Sequence, residues 1–347
     1  MTKIRVMKAA ITLCAVAFTA NAEQTLRFGT DNNPDVFDNP QHACAGVFSN
    51  IMQSATNGEI SVEIFGNNQL GNASEHVQQV RDGIIHATLS STGAMASYYP
   101  RIDVLNMPFA FANNAATYHV FDGAFGQALA ADIEETLGDV VVLGFPDTGG
   151  FFAITNSKQE IASLDDMEGV RIRTMTLPSH QVIIQALGAE AYPLAWGEVY
   201  SGLQTGVIDG QMNPIPIISF SNFSEVQKYM TLTNHLFSPY TFMVNRAMYE
   251  GLTSEQQATM HLAAEECVVA SRGLARAIEA SDRGLAGLME TMTVTALNDQ
   301  TRQGFVDAAQ PAFEQHIANN LDAKATELLN LMKSELDGAN SASYMQD

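Results

Sequence analysis

The stretch Glu198-Val-Tyr-Ser-Gly-Leu-Gln-Thr-Gly-Val-Ile-Asp-Gly-Gln-Met-Asn-Pro214 decides the fold. Glu198 to Gln204 reads as a helix, and Gly206 is placed to stop it by taking the left-handed conformation. Val207 to Gln211 reads as a strand. Asp209 to Pro214 then brings amide donors and acceptors to the point where the chain turns. A helix, a glycine stop and a strand make up the repeating unit of an α/β sheet, in which ligands sit beyond the carboxyl ends of the strands.

The same rhythm runs outward in both directions. Upstream, Thr25–Gly29 and Ile60–Phe65 read as strands on either side of a helix from His42 to Thr56. Ser74 looks like the N-cap of a helix carrying Val77, Val80 and Ile84. Strands follow at His86–Ser90, Asp139–Phe145, Phe151–Thr155 and Val170–Thr174, with a helix from Pro178 to Leu187. Downstream, Tyr240–Asn245 is a strand, Ser254 to about Leu288 is one long helical pattern, and more helix follows. Strands alternating with helices predict an α/β fold with largely parallel sheets. The chain has 347 residues, which favours two lobes over one domain.

The first 22 residues read as a secretory signal peptide. Lys3, Arg5 and Lys8 precede an apolar run from Ala9 to Phe18, and Ala20-Asn21-Ala22 offers the small residues a signal peptidase needs. The run is short for a membrane anchor. Three of the 17 basic residues and none of the 38 acidic ones lie in this leader, so the remainder carries 14 and 38, a net charge of −24. That acid excess argues against nucleic acid and anionic membrane surfaces as partners. It does not exclude an anionic small ligand held by one arginine. Cys44 and Cys267 remain after the leader, and their spacing leaves open whether they pair or stay as two buried thiols.

Catalytic motifs are missing: no G-x-S-x-G, P-loop, G-x-G-x-x-G or C-x-x-C, and no histidine pair flanking a glutamate at zinc spacing. Asp31-Asn32-Asn33 and Asp165-Asp166 lack the spacing of a calcium loop. Three features carry binding chemistry instead. Arg171 and Arg173 flank Ile172 on a strand and so share a face. Both could be solvated, or one could clamp a carboxylate through the two-pronged guanidinium. Trp196, the single tryptophan, is either a core filler or a flat wall over a ligand. Asn213 stands at the strand end.

The 198–214 stretch resembles the "EVYxALQxGxxDGQxNP" signature of TRAP (tripartite ATP-independent periplasmic) transporter solute-binding proteins of the DctP type. Gln69-Leu-Gly71 with Glu75, Met107-Pro-Phe109, and Thr155-Asn-Ser157 followed by Leu164 to Arg173 resemble other blocks of that family in order and spacing. The resemblance implies a two-lobed periplasmic binding protein with a hinge and a long C-terminal helix spanning both lobes. Lobe 1 would comprise 23–146 plus about 235–265, and lobe 2 would comprise 147–234 plus later helical segments. The helix at about 254–288 would span them, and C-terminal helices and a tail would occupy about 300–347. It further implies capture of a small organic acid and its delivery to an ion-gradient-driven membrane permease by a monomer without cofactor, metal or catalytic residues.

Carried over by position, Arg173 would pair with the ligand carboxylate, Asn213 and Gln211 would assist, Trp196 would pack on the ligand, and Glu75 would lie near the cleft. Many relatives carry a second arginine where this sequence has Phe152. Its loss points to a monocarboxylate with a less polar remainder, enclosed by Phe152 and Trp196, unless Phe152 is simply core. Nothing in the local pattern makes phenylalanine and arginine unequal for folding there. A sensor module of the same fold, or a secreted enzyme, are the rival readings.

Overall fold

The computed structural model describes residues 24–342, so the expected signal peptide lies outside the described residues. The strands run, in chain order, β1 (Gln24–Gly29), β2 (Ile60–Phe65), β3 (Ala87–Ser90), β4 (Val140–Gly144), β5 (Phe152–Asn156), β6 (Arg171–Thr174), β7 (Glu190–Pro193), β8 (Gly210–Pro214), β9 (Tyr229–Leu232), β10 (Thr241–Asn245) and β11 (Thr293–Ala296). They form two sheets, ordered β2-β1-β3-β10-β4 and β11-β9-β5-β8-β6-β7.

Both sheets are mixed, which corrects the expectation of largely parallel ones. β1 lies parallel to β2 and β3, but β10 is antiparallel to β3 and β4. In the second sheet β6 is parallel to β7 and β8, β11 is parallel to β9, and β5 is antiparallel to β8 and β9. The antiparallel strands β5 and β10 are the ones entered directly from the other sheet. Their direction is set by the crossing, a non-local event, rather than by a helical return.

In the first lobe, Asn39 caps the helix Pro40–Ala55 by accepting from the backbone of Gln41, and Pro40 sits in its first turn. Its buried residues Cys44, Phe48 and Met52 recur every four positions, as one apolar helix face requires. Phe48 meets Phe28 of β1 and Phe242 of β10 edge-on, at 5.8 and 5.0 Å between ring centroids. The next helix, Ala73–Arg81, is capped by Asn72 rather than Ser74. The Asn72 side chain accepts from Ser74 and Glu75, while the Glu75 carboxylate accepts from the Asn72 backbone.

In the second lobe, Gly206 ends the helix Val199–Thr205 with φ 73°, as its sequence position suggests. The strand that follows starts three residues later than expected, at Gly210. Gly210 is required there: a β-carbon would stand 2.1 Å from the Thr155 carbonyl oxygen of the neighbouring β5.

The long helix runs from Ser254 to Glu279, shorter than the pattern to Leu288 suggests; Leu285–Leu288 is a separate turn of helix. The break falls at Gly284, whose α-carbon is packed so tightly that a β-carbon would stand 2.3 Å from the Ile278 carbonyl oxygen. The early part of this helix packs in one apolar cluster with Cys44, Phe48 and Met52. Ser271, further along, accepts from the backbone of Asp147, where the chain crosses between β4 and β5. Ile278 then lines a groove with Pro216 of the second lobe. The helix therefore touches both lobes. Cys44 and Cys267 form a disulfide between the first helix and this one, closing a separation of 223 residues.

Candidate functional site

The two sheets aim their strand ends at a shared cavity of about 750 Å³, its mouth included. From the first lobe come Asp31 and Asn32, just past β1, Ser91 and Gly93, just past β3, and Tyr240, just before β10. From the second come Phe152 on β5, Arg173 on β6, Asn213 on β8, and Leu194 to Gly197 after β7. The residues beyond the carboxyl ends of parallel strands are thus the ones that converge, as the geometry of open α/β sheets requires. The lobes meet at the cavity edge and again at a neighbouring groove. Thr176 Oγ1 donates to the Gly93 carbonyl at 3.3 Å, and Arg283 pairs with Asp38 while donating to the Phe37 carbonyl at 2.8 Å.

Arg171 and Arg173 share a face of β6 and have opposite fates. Arg171 is half-buried and tied off: its guanidinium donates to Asp209 at 3.0 and 2.6 Å and to the carbonyls of Gly206 and Val207. Arg173 is buried, with 3% of its surface exposed. Its Nε and Nη2 both donate to the Leu194 carbonyl, at 3.0 and 2.7 Å. Nη1 donates to no described residue, and Arg173 makes no salt bridge among them. Burial lowers its pKa to about 10, against the opposing pull of Asp31 and Glu198, so it stays charged at neutral pH.

Trp196 is half-buried in a short 3-10 turn, its ring 6.0 Å from the Arg173 guanidinium carbon and tilted against Phe223 at 5.9 Å. Phe152 belongs to both the cavity wall and the core. It is fully buried and meets the rings of His180 and His235 edge-on, at 6.2 and 6.3 Å. Burial pulls both histidines down to about 3, so they are neutral. Arginine in place of Phe152 would bury a cation among neutral rings, so the two residues are not equal for folding, contrary to the reading of the local pattern.

Asn213 is 1% exposed and lines the cavity. Gln211 shares its strand face but lies behind it, outside the cavity wall. Its Oε1 accepts from Asn213 Nδ2, and its Nε2 donates to Thr155 Oγ1 at 3.0 Å. Glu75 also lies outside the wall, engaged in its helix cap, while its neighbours Asn72, Ala73 and Ser74 do line it.

The first-lobe side is what the motifs missed. Asp31 is 7% exposed, and its Oδ1 accepts from Gln41 Nε2 at 2.7 Å. Asn32 Nδ2 donates to the Tyr240 hydroxyl at 2.9 Å. A signal for Asp31 and Asn32 was present, since they directly follow a strand; nothing marked Tyr240. Among the described residues there is no cluster of His, Cys, Asp and Glu able to hold a metal ion.

Two α/β lobes that close their strand ends over one buried arginine define a binding protein rather than a bare fold. Residues 37–320 match the family model for bacterial extracellular solute-binding protein, family 7, named DctP. The chain belongs to this family, that of the TRAP periplasmic solute-binding proteins. It is 32% identical over 296 residues to the 2,3-diketo-L-gulonate-binding periplasmic protein YiaO of Escherichia coli K12, spanning 85% of this chain and 88% of that one. A TRAP periplasmic solute-binding protein from Sulfitobacter sp. NAS-14.1, crystallised with β-D-galacturonate, is 29% identical with a TM-score of 0.82, over 90% of this chain and 100% of that one. The sugar acid binding protein DctPAm of Advenella mimigardefordensis, in complex with galactonate, is 27% identical with a TM-score of 0.83, over 90% and 99%.

Proposed function

We propose that this protein is a periplasmic binding protein that captures a small monocarboxylic acid between its lobes and delivers it to an ion-gradient-driven TRAP permease. The observation that carries the reading is Arg173: a buried guanidinium on the cavity wall, held by the Leu194 carbonyl through Nε and Nη2, whose Nη1 donates to no described residue. A buried cation without a salt-bridge partner is costly, and a ligand carboxylate supplies one. Asn213 adds a polar contact, and Trp196 and Phe152 form apolar walls.

Arg173 is the only cation among the described residues lining the cavity, which is why one carboxylate, not two, is the expected complement. The related proteins that bind 2,3-diketo-L-gulonate, galacturonate and galactonate support an acid as the ligand class. Ligand contacts from both lobes would bias the hinge toward the closed arrangement. A thermal-shift screen of mono- and dicarboxylic acids tests this, because a ligand that binds only the folded state raises its melting temperature. Monocarboxylates should give the largest shifts; strongest stabilisation by C4-dicarboxylates would overturn the monocarboxylate reading.

A further inference from the structure

The cavity holds a second buried charge that the carboxylate reading does not use. Asp31 and Arg173 face the same space, one from each lobe, and they are the only ionisable acid and base among its described lining residues apart from the Tyr240 phenol. Neither forms a salt bridge among the described residues. Gln41 donates to Asp31 Oδ1 and the backbone amide of Asp31 itself also supports the carboxylate, but no side chain other than Gln41 among the described residues donates to it. Tyr240, beside it, has its hydroxyl already accepting from Asn32.

This pair sets a charge balance. An acid bound at Arg173 would place a second carboxylate in a closed cleft with Asp31, leaving two negative charges for one guanidinium. Uncompensated charge in a water-poor space is expensive. A positive group on the ligand restores neutrality and gives Asp31 Oδ2 a donor. Burial pushes the Asp31 carboxyl up from its ordinary value, against the pull of Gln41, of its own backbone amide and of Arg173, so its charged form gains from a cationic partner.

We propose that Asp31 is a specificity-determining residue, and that the preferred ligand is zwitterionic, with its carboxylate on Arg173 and an N–H-bearing cation on Asp31. This rests on the carboxylate reading of Arg173 and narrows it from any monocarboxylate to amino or imino acids. Two opposed charges on opposite lobes also tie closure to a ligand carrying both complements, since a ligand with only one leaves the other buried charge unpaired.

The test is calorimetric titration of the whole mature chain with matched pairs that differ only in the cation. Suitable probes are proline with tetrahydrofuran-2-carboxylate, pipecolate with cyclohexanecarboxylate, and 4-aminobutyrate with 4-hydroxybutyrate. At least one zwitterion should bind tenfold or more tightly than its partner anion, which lacks the cation. In Asp31→Asn, which keeps an oxygen for Gln41, that ratio should fall to within about twofold by gain of the simple carboxylate anion and loss of the zwitterion. If no zwitterion outcompetes its partner, or the ratio survives in Asp31→Asn, the proposal is wrong. Anions without a cation that bind at least as tightly as their zwitterionic partners, and are lost in Arg173→Lys, would leave the carboxylate reading standing while this one falls. Binding of no acid at all would remove both. Should Asp31→Asn fail to fold, the wild-type ratio alone decides.

Discussion

Arg173 and Leu194 are joined by a fork: the Nε and Nη2 of the arginine both donate to one carbonyl oxygen, 3.0 and 2.7 Å away. This fixes the guanidinium plane and leaves its remaining nitrogen for the cavity. Lysine keeps the charge but offers a single mobile head, so it cannot hold this carbonyl and a ligand in the same geometry. Arg173→Lys and Arg173→Ala should therefore weaken acid binding at least about 30-fold, the scale of a truncated buried charge pair. Calorimetry giving near wild-type affinity for Arg173→Lys, with a native circular dichroism spectrum, would rule out the clamp.

Trp196 is the single tryptophan of the chain and lines the cavity while packing on Phe223. Its fluorescence should shift or quench on ligand addition. Trp196→Ala removes only a half-buried ring, so it should alter ligand preference with little change in melting temperature. An emission spectrum that stays constant through a saturating titration would place the ligand elsewhere.

Phe152 and Trp196 differ in burial, and their replacements should differ in kind. Phe152→Ala empties a fully buried site between two neutral histidine rings and should cost about 3–5 kcal/mol of stability. Urea unfolding measures it. A loss no greater than that of Trp196→Ala would mean Phe152 is wall only, without a core role.

The disulfide joins the first helix to the long helix across 223 residues. Closing so long a loop restricts the unfolded chain, with a contribution of up to about 5 kcal/mol in the chain-entropy account. Cys44→Ala combined with Cys267→Ala should lower the urea midpoint by an amount equivalent to about 2–5 kcal/mol. Equal midpoints for the wild type and the double variant would show that the bond contributes nothing.

Glu279 ends the long helix next to the crossing at Gly150, 3.3 Å from Arg276. Burial raises its carboxyl to about 7, with Asp147 adding to the rise and Arg276 opposing it. The folded state therefore holds a proton that the unfolded chain has lost between pH 4.5 and 7. This contribution to stability is present below the unfolded value and disappears as pH rises through the folded one. Glu279→Gln should match the wild type near pH 5 and melt higher near pH 8. A wild-type protein that melts as high as Glu279→Gln at pH 8, or higher, would show that the Arg276 pair outweighs the cost of burial.

The sequence by itself determined what is local. The Gly206 stop, the Asn–Pro strand end and the common face of Arg171 and Arg173 follow from spacing along the chain, because backbone periodicity fixes which residues share a face, and the 198–214 stretch is legible by its resemblance to a family signature. Only the tertiary structure decided which of these residues borders the cavity. Arg171 and Arg173 are indistinguishable by pattern, and they separate because Asp209 stands beside one and the cavity beside the other. Gln211 and Glu75 sit in the right blocks but one layer away, committed to Asn213 and to a helix cap. Asp31 and Tyr240 reach the cavity through sheet pairing between segments far apart in sequence, and Cys44 meets Cys267 in the same way. Such encounters are fixed by the packing of whole layers: a short stretch of sequence can place Asp31 past a strand, but it cannot show what that strand end will meet.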